Sequence, residues 1–208
     1  MPSKFILSFL RVSVTILFYL VIIVTVVFLI ASLLNISGKS DHAKKLTNKT
    51  YTYEVKGFSK KSKDVPFTYS EDRLVRYQPV KEQYTLQIEP NSAIGYYTLI
   101  MKLIFMGLGI SVLWNFMKIF RETRLDNPFK HSITKRLKIL AALFIISDVL
   151  KFIDYLLFNS FLRQSIASPN FELITDVGDG IISGMIIWII AVIFQRGIAL
   201  QEENALTV

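Results

Sequence analysis

No cysteine occurs among the 208 residues, which excludes disulfides, thiolate metal sites and thiol nucleophiles together. Histidine is nearly as scarce. His42 and His131 fall in different loops, neither with a second histidine or carboxylate at the spacing a metal needs. A Gly-rich phosphate loop and a serine nucleophile elbow are missing too. These absences argue against an enzyme, a cofactor and a catalytic metal. Acidic residues are outnumbered, 16 against 24 Lys and Arg, for a net charge of +8. In a chain this apolar, basic residues collect in loops for topological and lipid-binding reasons, so direct nucleic-acid binding is not expected.

What the chain does have is apolar length: 52% of residues are hydrophobic and the mean hydropathy is +0.44. Val12 to Leu34 carries no charge, and at the helical rise it reaches about 34 Å, enough to cross a hydrocarbon core of about 30 Å. It is too long and too poorly bounded for a cleaved signal peptide and reads as a retained span. A second span runs from about Ile94 to Met117, with Lys102 as its single charge. A third, from about Leu137 to Phe158, holds Asp148, Lys151 and Asp154 between apolar stretches. The fourth runs from about Val177 to Phe194, its uncharged part beginning only after Asp179. Residues 35–93, between the first two spans, alternate at Tyr51–Val55 and Tyr84–Ile88, and period two means strands. Gly57 to Pro66 reads as a turn or flexible loop ahead of Phe67-Thr68-Tyr69. The expectation is an all-α membrane protein: a four-transmembrane-helix bundle with a small β-rich extracytoplasmic insertion between helices 1 and 2.

Orientation follows from the short loop 118–136, because long loops translocate largely regardless of charge. Lys118, Arg121, Arg124, Lys130, Lys135 and Arg136 face only Glu122 and Asp126 there. That places this loop, both termini and the tail 195–208 in the cytoplasm, with the β-rich loop outside. The eleven Lys and Arg within that outer loop run against the rule, and its length makes them tolerable.

An ionisable residue inside a span is costly and usually faces a bundle interior or water. At about 100° per residue, Asp148, Lys151 and Tyr155 fall within about 60° of one another, and Asp154 widens the polar arc. Asp176 and Asp179 open the fourth span, and Lys102 enters from the same side. Lys102, Asp148, Lys151, Asp154, Tyr155, Asp176 and Asp179 thus form a candidate intramembrane polar cluster. One reading makes them salt bridges and interfacial charges that set helix register. The other makes them a proton or cation site centred on Asp148, the one nearest the membrane middle. Gly180 with Gly184, and Gly107 with Ser111, are small-residue pairs that let helices approach closely, within one chain or across a homo-oligomer.

In the cytoplasmic loop, Asn127-Pro128 reads as a helix start, with Asn127 as cap and Pro128 at the first helical position. Phe129, Ile133 and Leu137 recur every four residues among Lys130, Lys135, Arg136 and Lys138, the pattern of an amphipathic helix on an anionic lipid surface or of a protein-docking face. The stretch Asp126-Asn127-Pro128-Phe129, the following Lys135-Arg136-Leu137, and the C-terminal Phe194-Gln195-Arg196-Gly197 through Leu200-Gln201-Glu202-Glu203-Asn204 to Leu206-Thr207-Val208 resemble an uncharacterised bacterial family of four-span membrane proteins, domain-of-unknown-function family 2975. The resemblance is strongest over the second half of the chain. It implies a regulatory pairing with a small helix-turn-helix protein. It also implies that Asn127, Pro128, Phe129, Arg136, Arg196, Gly197 and Glu203 are candidates for a cytoplasmic contact. Arg196 to Asn204 reads as either a continuation of the fourth helix or a frayed terminus.

The expectation is therefore a non-enzymatic regulatory or sensory partner in a bacterial inner membrane, in contact with membrane lipids. Two alternatives stay open: a small ion- or proton-coupled transport component, and an assembly subunit of a membrane complex.

Overall fold

The computed structural model describes residues 2–36, 51–58, 68–69, 76–77, 82–123, 130–165 and 170–206. Four long helices carry most of it: α1 (Pro2–Ile36), α2 (Ala93–Glu122), α3 (His131–Ser165) and α4 (Asp179–Leu206). Between α1 and α2 come β1 (Tyr51–Phe58), β2 (Thr68–Tyr69), β3 (Arg76–Tyr77) and β4 (Glu82–Ile88), and β5 (Asn170–Leu173) lies between α3 and α4. Every helix extends beyond its apolar run, because a helix ends where its backbone hydrogen bonds end and not where hydropathy falls.

By length and composition, three helices can cross a membrane, over Phe5–Leu34, Ala93–Glu122 and Asp179–Asn204. α3 is as long as α1, but Lys138, Asp148, Lys151 and Asp154 keep it below that measure. α1 has almost no buried face: Phe5, Phe9, Ile16 and Ile23 are all more than half exposed. A helix apolar all round and uncovered by protein has lipid as its natural solvent.

The chain divides into two compact units, one of residues 1–33, 100–150 and 177–208, the other of residues 34–99 and 151–176. In the first, α1 meets α2 through the ring pair Phe18 and Trp114, with centroids 5.5 Å apart, and through Arg11, whose Nη2 donates to the Phe120 carbonyl at 3.0 Å. That carbonyl lies in the last turn of α2, where acceptors are left over and a cation is favoured. α2 meets α3 through the Arg136–Glu122 ion pair at 3.0 Å. The small-residue pair of α4 is used against α3. A Cβ at Gly180 would fall 2.7 Å from the Phe144 carbonyl, and one at Gly184 would fall 2.8 Å from that of Ala141. The pair on α2 is not used this way, since Gly107 has open space where a Cβ would stand and the Ser111 hydroxyl donates to the Gly107 carbonyl of its own helix at 2.9 Å.

The second unit is built on an antiparallel sheet in the order β4-β1-β5, with β2 and β3 as a separate ladder. Tyr51 pairs with Ile88 and Gly57 with Glu82, while Val55 to Phe58 pair on the other edge with Leu173 to Asn170. Val55 and Ile88 pack on Phe158 and Leu162 of α3, with Tyr53, Tyr84 and Leu86 around them. Ser92 caps α2, its hydroxyl accepting from the Gly95 amide at 3.0 Å.

Two expectations change, and at the tail one of two open readings holds. The sheet is not confined to the segment between the first two helices, because β5 is contributed by the α3–α4 link. Gly57 and Phe58 belong to β1 and not to a turn, since pairing with β5 extends the strand beyond its alternating part. The tail is helical through Leu206. The expected cap and first helical position at Asn127 and Pro128, together with Phe129, lie outside the described residues, and α3 begins at His131, with the Lys130 carbonyl accepting from Ile133 and Thr134.

Candidate functional site

Asp148 is fully buried, and its surroundings account for that burial. Its Oδ2 accepts from the backbone amides of Gly178 at 2.8 Å, Gly180 at 2.9 Å and Ile181 at 3.0 Å. The first amides of a helix have no intrahelical acceptor and carry the positive end of the helix dipole, so a side-chain oxygen placed there meets donors that the helix itself leaves unpaired. Here the cap comes from another helix. Gly178 makes the approach possible with φ +126°, a conformation that side chains other than glycine adopt at a cost. Gly180, without a Cβ, lets Asp148 come close. Asp148 therefore lies level with the first turn of α4 rather than half-way along it.

In the second unit, the Tyr97 hydroxyl donates to Asp154 Oδ1 at 2.7 Å. The Tyr97 ring packs on Phe161 with centroids 5.4 Å apart, and Tyr53 packs on Phe158 at 4.8 Å. Burial pushes the Tyr53 hydroxyl above its usual pKa. Tyr155, Asn159 and Arg163 recur every four residues along α3 and so share one face. That face holds β5: the Asn159 side-chain oxygen accepts from the Leu173 amide at 2.9 Å, Tyr155 donates to Glu172 at 3.4 Å, and Arg163 lies 3.9 Å from the same carboxylate. Lys151 donates to the Asp176 carbonyl at 3.3 Å.

Of the residues of the expected polar cluster, Lys102, Asp148 and Asp179 belong to the first unit and Lys151, Asp154, Tyr155 and Asp176 to the second. Among the described residues, no group of three or more histidines and carboxylates is arranged to hold a metal ion.

At the other end of α3, Arg136 Nε donates to Glu122 Oε1 at 3.1 Å, and Lys130 to the Glu122 carbonyl at 3.4 Å. A hydrogen bond from Ser132, and then Arg136, hold the Glu122 carboxyl below the usual carboxylate range, against the opposing effect of desolvation. Lys138 donates to Gln195 at 3.0 Å, and His131 lies 3.3 Å from Glu202. Arg196 and Glu203 are exposed on α4 and Gly197 is half-buried.

Residue-by-residue reading missed Gly178, Tyr97, Asn159 and Glu122. For Asn159 a signal existed, the four-residue spacing with Tyr155 and Arg163. For Tyr97 and Glu122 none did, because their partners lie on other helices.

The model of a family described as Protein of unknown function (DUF2975) matches residues 65–208. No curated protein and no solved structure matches the chain.

Proposed function

The chain belongs to the DUF2975 family of proteins of unknown function, and we propose that it acts in a membrane as a non-enzymatic regulatory or sensory partner. In this reading all four helices cross the bilayer of a bacterial inner membrane. The β-rich segment 35–93 lies outside, and the link between α2 and α3 and the end of α4 lie in the cytoplasm. Backbone amides satisfy Asp148, which lowers the cost of carrying it inside a crossing α3.

The observation that carries the reading is the ordered end of α4. The helix runs to Leu206, and two of its side chains, Gln195 and Glu202, are joined to Lys138 and His131 of α3. Arg196, Leu200 and Glu203 are exposed on this helix, so a partner meets a formed surface and does not have to order it. The partner that the family resemblance implies is a small helix-turn-helix protein, which would carry any nucleic-acid contact. Transport is favoured less, because an ion or proton site needs a carboxylate that exchanges its ligands, and Asp148 is held by three amides.

The test is affinity purification of the tagged protein from its native membrane in mild detergent, with mass spectrometry of what accompanies it. Recovery of a helix-turn-helix protein, lost on deletion of Leu200 to Val208, is the expected result. Stoichiometric membrane proteins in its place would indicate an assembly subunit. Recovery of the chain alone, with ion flux in vesicles abolished by Asp148→Asn, would replace the regulatory reading with transport.

A further inference from the structure

The basic residues at the start of α3 are not equivalent. Arg136 and Lys130 are turned to Glu122, the last residue of α2. His131, Lys135 and Lys138 line instead a cleft of about 430 Å³ with Thr134, Ile139 and Gln195. Two struts tie α3 to α4 beside it, Lys138 with Gln195 and His131 with Glu202. Each strut is two helical turns from the other along both α3 and α4, the spacing of antiparallel neighbours.

The chemistry of the struts differs. Glu202 offers His131 a negative charge. Gln195 offers Lys138 a neutral amide oxygen, which aims the ammonium without cancelling its charge. Lys135 is exposed and makes no hydrogen bond or ion pair among the described residues. Two positive charges therefore stand uncompensated at one cleft, beside the Thr134 hydroxyl. The wall continues into Ile139 and Ala142, so a polar, cationic mouth passes into apolar surface over about one helical turn.

We propose that this cleft binds a phosphate-bearing anion, with the phosphate between Lys135 and Lys138 and the remainder of the molecule along Ile139 and Ala142. The source is an anionic phospholipid headgroup or a free phosphate, and the apolar wall favours the lipid, since a basic pocket between spanning helices suits an anionic headgroup. The site is independent of any cytoplasmic partner and needs only the chain in a membrane.

The test uses the full-length protein in phosphatidylcholine nanodiscs, read by thermal unfolding and by native mass spectrometry of retained lipid. Phosphatidylglycerol is titrated in one arm, and inorganic phosphate is added to lipid-neutral discs in the other. The expected result is saturable stabilisation by phosphatidylglycerol, weakened about fivefold for each charge removed in Lys135→Gln and Lys138→Gln, and unchanged in Arg121→Gln, at the exposed end of α2. Stabilisation by inorganic phosphate alone, with the same loss in both variants, keeps the anion site and assigns it to a soluble ligand. If Lys138→Gln fails to fold, Lys135→Gln carries the result, because Lys135 braces nothing among the described residues. Equal responses in wild type and Lys135→Gln, or no difference between the two lipids with no effect of phosphate, overturn the proposal.

Discussion

Asp148 reaches across from α3 to accept the Gly180 amide at 2.9 Å, making a carboxylate of one helix the N-terminal cap of the next. Most helix caps come from the residue just before the helix, so their loss frays one end. This one also joins α3 to α4.

Substitution at Asp148 should therefore read as stability before it reads as activity. Asp148→Asn keeps an acceptor for the amides and loses the charge, at a cost of about 1 kcal/mol, up to about 2 in a partly buried setting. Asp148→Ala leaves amides unsatisfied and costs more, about 1–3 kcal/mol per orphaned group. Thermal unfolding in detergent should rank wild type above Asn above Ala. Equal stability in all three would refute the capping role.

Gly107 and Gly109 of α2 should respond to the same change in the opposite direction from Gly180 and Gly184 of α4. Gly180→Ala and Gly184→Ala place a Cβ within 3 Å of α3 backbone oxygens and should lower the unfolding temperature. Gly107→Ala and Gly109→Ala enter open space and should raise stability by up to about 1 kcal/mol through helix propensity. A loss of stability at Gly107 would instead indicate that a second copy packs on that face.

Asn159→Ala removes the acceptor of the Leu173 amide. The expected cost is about 1–3 kcal/mol, concentrated at β5. Hydrogen exchange of residues 170–173 should accelerate while that of α1 is unchanged. Asn159→Asp, which keeps an acceptor, should retain most of the protection.

Glu122 gives the chain an acid-sensitive contact. Its folded pKa lies below its unfolded value of about 4.5, so its contribution is complete above that value and is lost as pH falls through the folded pKa. For a partly exposed pair the contribution is within about 1 kcal/mol. Comparing wild type with Glu122→Gln between pH 7 and pH 3, the stability difference should shrink toward the acid end. A constant difference would mean that Glu122 acts by packing alone.

Much of the fold is local and so legible in the residues. An apolar run longer than a bilayer implies a helix wherever it falls, because lipid satisfies no backbone group. Alternation at Tyr51–Val55 and Tyr84–Ile88 marks β1 and β4 for the same kind of reason, since a side-chain period of two belongs to the strand itself. Asp148 was conspicuous as a buried carboxylate in a long apolar helix, and its chemical possibilities followed from that position alone. Tertiary structure supplied its partners. Which amides stand opposite a buried carboxylate is not a local property, and here they belong to Gly178, Gly180 and Ile181 in another element. β5 was silent for the same reason: four residues are too few to show a period, and their pairing with β1 joins segments more than a hundred positions apart. The sequence by itself determined which segments prefer lipid and which prefer a pleated sheet. Only the packed chain decided which polar groups meet, because a hydrogen bond between elements needs a partner that no local pattern specifies.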